Sequence, residues 1–111
     1  MKKRDYLSQS ELMIMLAVMR LGKEAYGVPI AKEIADRTGR EIAAGVVYPA
    51  LERLEEHGLV SSEIGEATAV RGGRAKTYFR VTAKGLKQVR ETQRALEQLW
   101  GGIVQLRGKP T

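Results

Sequence analysis

The chain has 111 residues, 43% hydrophobic and 29% charged, with 19 lysines and arginines, 13 acids, one histidine, no cysteine and a net charge of +6. That is one domain with a modest core, too small for an enzyme with a deep cleft, and without cysteine it has neither a disulfide framework nor a thiolate metal site. The positive balance favours an anionic partner, nucleic acid before a membrane surface.

The first apolar run begins at Leu12, after a polar stretch, and Arg20 interrupts it. It is too short to span a bilayer and lacks a cleavage site, so it reads as a buried helix of a cytoplasmic protein. That helix starts near Ser8 or Ser10 and ends at Gly22, with Ser8 and Glu11 at capping-box spacing. Residues 12–19 are apolar on every side, which in a small domain suggests burial against a second chain. A second helix covers 27–38, turning Ile30, Ile34 and Ala31 or Ala35 inward, with Pro29 tolerated in the first turn and Gly39 as its stop. A third lies within 43–60 and stops at Gly58. Residues 59–65 have strand character, and "RAKTYFRVT" alternates Lys76, Tyr78 and Arg80 against Thr77, Phe79 and Val81. With the glycine-tipped loop between them they make a two-stranded hairpin. Thr82 then caps a last helix running toward Trp100 or beyond. The expected fold is mainly α with a small β-hairpin: a winged helix-turn-helix over residues 1–81, then a C-terminal dimerisation helix and tail over 82–111.

In that plan the third helix enters the DNA major groove. Val47, Leu51 and Leu54 share one face and point into the core, leaving Val46, Pro49, Ala50 and Arg53 opposite. The front half is small and uncharged, while Glu52, Glu55 and Glu56 sit at the rear, where a docked helix leaves the phosphates. Pro49 crowds the carbonyl of Gly45, the least crowding partner available. Tyr48 either reaches a phosphate or packs against the second helix. The hairpin adds Arg71, Arg74, Lys76 and Arg80: residues 65–81 carry four bases and one acid, residues 45–64 one base and four acids. Gly45, Val46, Tyr48, Pro49, Ala50 and Arg53 are therefore the expected groove contacts, and Arg71, Arg74 and Lys76 the expected backbone contacts. The plainer alternatives are an amphipathic core helix with a proline bend and a solvated basic turn.

Leu86, Val89, Gln93, Leu96, Trp100 and Ile103 recur in steps of three and four, the seam of a helix that packs along another helix. With Leu12, Met15, Leu16 and Met19 of the first helix they form the expected two-fold dimer interface. Such a dimer holds two copies of the third helix about 34 Å apart, which calls for a near-palindromic operator. Nothing marks a catalytic site: His57 is the sole histidine, no metal-ligand set accompanies it, and Gly72–Gly73 is a hairpin tip with no phosphate-cradling context. No cofactor is expected. A winged protein-interaction module that does not bind DNA is the competing reading. A membrane binder fits poorly, because the bases cluster on a wing and not along a helix face.

"EAYGVPIAKEI", "GVVYPALERLEEHGLV", "RGGRAKTYFRVTAKG" and "LEQLW" together resemble the PadR family of transcriptional regulators, in its short form with one C-terminal helix. The run Tyr48, Pro49, Leu51, Arg53, Leu54, Glu55 is the most specific element, supported by the basic wing and by the cap from Thr82 to Gly85. The resemblance implies a homodimeric winged-helix repressor, often of stress or efflux genes, released by a small molecule or a partner. Family members often have a small polar residue where this chain has Val46, which offers only apolar contact, for instance to a thymine methyl group. Resemblance to drug-sensing members suggests that Trp100, with Met15 and Met19, lines a cavity where a flat aromatic inducer stacks. The alternative is that Trp100 is a plain interface anchor and the methionines simply core.

Overall fold

The computed structural model describes residues 6–65 and 76–107. The element order is α1 (Gln9–Leu21), α2 (Gly27–Thr38), α3 (Ala44–Glu56), β1 (Val60–Ile64), β2 (Thr77–Val81) and α4 (Ala83–Trp100), with single 3-10 turns at Gly22–Glu24 and Val104–Leu106. Three helices, an antiparallel hairpin and a last helix make the winged helix-turn-helix arrangement that the chain order predicts.

Local capping sets the helix ends. The Glu11 N–H donates to Ser8 Oγ at 3.2 Å while the Ser8 N–H donates to Glu11 Oε1 at 2.9 Å, a complete capping box at the start of α1. Helix α2 closes on Gly39, whose φ of 78° is the left-handed conformation that glycine adopts at least cost. Thr82 Oγ1 accepts from the Gly85 N–H at 3.0 Å and opens α4.

The core is shared by all of these elements. Ile14 and Met15 from α1, Ile30 from α2, Val47, Leu51 and Leu54 from α3 and Val60 from β1 are its largest fully buried side chains. Each contributes about 1.5–3 kcal/mol by leaving water. Helix α1 does not distribute its apolar residues evenly: Ile14, Met15, Ala17 and Val18 face the core, while Leu16 and Met19 remain 40% exposed. Met15 therefore does not belong to a dimer surface or to an open ligand cavity, as the sequence suggests, because α1 turns it fully into its own domain.

The hairpin pairs Val60 with Val81 through to Ile64 with Thr77. Phe79, on its buried face, donates its N–H to the Ala25 carbonyl at 2.8 Å, so β2 is tied to the segment linking α1 and α2. The start of α4 is clasped to the end of α3. Thr82 Oγ1 donates to the Gly58 carbonyl at 2.7 Å, the Thr82 N–H to the Leu59 carbonyl at 3.0 Å and Lys84 Nζ to the His57 carbonyl at 2.9 Å. Glycine is required at position 85: a Cβ there would lie 2.0 Å from the Leu59 carbonyl oxygen and 2.9 Å from Met15 Cε.

From that joint α4 runs 18 residues, about 27 Å. Its inward residues are Gly85, Val89 and Thr92, the last buried and accepting the Leu7 N–H at 3.0 Å. Val89 is thus a core residue, not the seam residue its spacing suggests. The same stripe continues as Leu96 and Leu99, but there the domain has ended, and Leu99 is 75% and Trp100 63% exposed. Ile103 lies past the helix, since α4 stops at Trp100 and Gly102 turns the chain with a φ of 82°; it cannot continue a helical seam. Among the described residues no helix is long and apolar enough to cross a membrane.

Candidate nucleic-acid interface

Helix α3 buries Val47, Ala50, Leu51 and Leu54. Ala50, expected on the outer face, is only 5% exposed. It sits about 60° from Val47 around the helix, on the same side, at three residues' separation. The outer face is instead Gly45, Val46, Pro49, Glu52 and Arg53, with Val46 the most prominent apolar member at 60% exposure.

That face has a bare front. No carboxylate occurs from Ala43 to Leu51, and a Cβ placed on Gly45 would meet no atom within 4 Å, so backbone is open to a close neighbour. The helix runs through Pro49 without a break, since the lost N–H and the ring crowding fall on Gly45, which has no side chain in the way. Tyr48 takes the packing alternative. Its ring covers the first residue of α2 so closely that a Cβ on Gly27 would lie 2.3 Å from Cζ and from the hydroxyl oxygen. The side chain is still partly exposed.

Of the acids at the rear of the helix, Glu52 stays on the outer face and Glu55 is turned aside. Glu55 accepts from Ser62 Oγ at 2.7 Å, which ties it to β1. His57 Nδ1 lies 2.8 Å from the Arg53 carbonyl oxygen, so it caps the helix end, where imidazole also suits the helix dipole. On the outer side of α2, Asp36 bonds Lys32 and holds its ammonium pKa above the ordinary lysine value. Glu33 is bonded by Arg37 and by Arg20, and these guanidiniums, Arg37 foremost, hold its carboxyl below the usual carboxylate range.

The wing root supplies cationic side chains. Lys76 is exposed, with Nζ 5.1 Å from the centroid of the Tyr26 ring, and Tyr78 meets that ring edge-on at 5.3 Å. Arg80 is exposed further along β2. Arg71 and Arg74 lie outside the described residues. Local spacing does not reveal the contact of Tyr26 with the wing, because its partners are some fifty residues away along the chain.

A second surface lies between α1 and α2. A groove of about 390 Å³ is lined by Met13, Leu16, Ala17, Met19 and Ile34, with Arg20, Glu33 and Arg37 at its rim. Met19 is in it; Met15 and Trp100 are not.

Residues 15–91 match the family described as the transcriptional regulator PadR-like family. The transcriptional regulator Rv3488 of Mycobacterium tuberculosis is 38% identical over 76 residues, covering 68% of this chain and 66% of the relative. The chain thus spans just under two thirds of the length of that curated relative. Among solved structures, a PadR family transcriptional regulator from Eggerthella lenta is similar at 34% identity and a TM-score of 0.68, over 87% of this chain and 82% of the other. A transcriptional regulator from Clostridium thermocellum follows at 26% identity and a TM-score of 0.70, over 88% and 92%. These relatives are regulators of transcription and not enzymes. With the fold, the tyrosine-proline turn of α3 and the matched residues in agreement, this chain belongs to the PadR-like family of transcriptional regulators.

Proposed function

We propose that the protein is a sequence-specific, cytoplasmic DNA-binding repressor that works as a homodimer on a near-palindromic operator. The observation that carries the reading is a carboxylate-free, glycine-lightened α3 tip whose Tyr48 covers Gly27, next in the chain to the Tyr26 ring over which the wing-root Lys76 sits. The tip can enter a major groove closely, and Lys76, with Arg71 and Arg74 of the tip sequence, supplies phosphate contacts. Val46 reads bases by apolar contact, and Arg53 holds the groove wall. Dimerisation is supported by uncovered apolar surface at two places, Leu16 and Met19 on α1 and Leu96, Leu99 and Trp100 on α4. Leu12, Leu86 and Gln93 border the same contact. Release by a flat aromatic compound stacking on the exposed Trp100 belongs to the same reading.

The test is duplex binding across a salt series with DNA from upstream of the protein's own gene. Binding falls steeply with salt, and Lys76→Ala weakens it at every sequence while reducing the salt slope by about one. Val46→Glu abolishes protection of the operator in a footprint and leaves the oligomeric state unchanged. Indifference of binding to both substitutions would leave the winged protein-interaction module as the better account.

A further inference from the structure

We infer that Tyr26 is a positioning residue for DNA binding: its ring fixes the ammonium of Lys76 at the wing root, where that charge meets the phosphate backbone. The inference rests on the DNA-binding reading above and adds to it a residue outside the groove helix and the basic loop.

Two contacts converge on this ring. Lys76 Nζ stands 5.1 Å from its centroid, within the range where a ring quadrupole attracts a cation. Tyr78, on β2, meets it at 5.3 Å with planes 69° apart, the edge-to-face geometry aromatic pairs prefer. Tyr78 is itself seated over Gly65, where a Cβ would lie 2.6 Å from its Cε1. The backbone completes the joint: Phe79 N–H donates to the Ala25 carbonyl at 2.8 Å, and Gly65 N–H to the Lys76 carbonyl at 2.7 Å. Tyr26 is also the N-cap residue of α2, yet its side chain makes no capping hydrogen bond. The ring faces the wing instead. An exposed lysine ordinarily surrenders much rotamer freedom when it pairs with a phosphate. One already held over a ring loses less, so the ring raises affinity without touching DNA.

The probe is a 25-base-pair random-sequence duplex, titrated by fluorescence anisotropy over a KCl series. Tyr26→Leu weakens binding about two- to fivefold, the scale of one exposed cation–π contact. Tyr26→Phe, which keeps the ring, binds as the parent does. In a Lys76→Ala background, Tyr26→Leu has no further effect. Equal weakening in both backgrounds, or a Tyr26→Phe variant as weak as Tyr26→Leu, overturns the inference and leaves Tyr26 as structural packing only. If the parent itself shows no salt-dependent binding, the DNA-binding reading falls first, so the two failures are distinct. A measurement on the parent guards against a variant that fails to fold: the Lys76 ε-methylene protons should be shifted upfield by the ring current in NMR spectra. Unshifted values overturn the proposal.

Discussion

Helix α3 buries Val47, Ala50, Leu51 and Leu54 and exposes Gly45, Val46, Pro49 and Arg53, so its apolar stripe is satisfied within the chain. Helix α4 buries Gly85, Val89 and Thr92 and then carries Leu96 and Leu99 off the end of the domain with no cover. An exposed front half that is small, uncharged and backbone-rich suits a polar groove. An exposed face of leucine and tryptophan stays in water only at a cost, and large contiguous patches of that kind mark association surfaces. The two helices are joined by the clasp of Thr82, Lys84 and Gly85 on residues 57–59. Whatever positions α4 therefore also positions α3.

Substitutions separate the two helices. Leu51→Ala opens a cavity in the closed region and should destabilise the fold by about 2–5 kcal/mol, read from urea denaturation. Gly85→Ala attacks the joint itself. Its methyl group meets backbone oxygen and not a yielding side chain, so a loss near the top of the about 1–3 kcal/mol range for overpacking is expected in the same assay. Trp100→Ala should leave the denaturation of the isolated domain unchanged but weaken the proposed dimer by about 2 kcal/mol, roughly thirtyfold in dissociation constant by sedimentation. A parent protein that sediments as a monomer at high concentration would break the contrast between the helices. The smallest effect lies on the rim of the α1–α2 groove. Because Arg37 and Arg20 hold the Glu33 carboxyl below its ordinary range, it adds stability above the usual carboxylate pKa. That contribution disappears as pH falls through the lowered value. A Glu33→Gln variant should accordingly trail the parent slightly at neutral pH and match it in strong acid, by thermal denaturation.

Much of the fold was legible beforehand because its signals are local. Ser8 with Glu11, Gly39 and Thr82 with Gly85 announce helix ends through hydrogen bonds spanning three or four residues, and the structure has those bonds or turns at each place. The hairpin's alternation around Phe79 was likewise readable, since a buried strand face repeats every second residue. The sequence does not place Ala50 on its true side, because alanine contributes too little hydrophobic signal to mark its face of the helix. Leu99, the continuation of Thr92, is hidden in the sequence by the stronger spacing that runs through Trp100 to Ile103. Val89 looked like a seam residue because an inward stripe and an outward seam have the same three-and-four spacing.

The sequence alone determined where most helices start and which half of α3 is free of charge, since both depend on neighbours within a turn or two. Only tertiary structure decided that Met15 points in while Leu16 points out, since a run of apolar residues carries no polar interruption to assign its faces. Tertiary structure alone also set Tyr48 on Gly27, Gly85 on Leu59 and Lys76 over Tyr26. Those contacts join residues from 21 to 50 positions apart along the chain, and packing distance, unlike periodicity, is not written in any one segment.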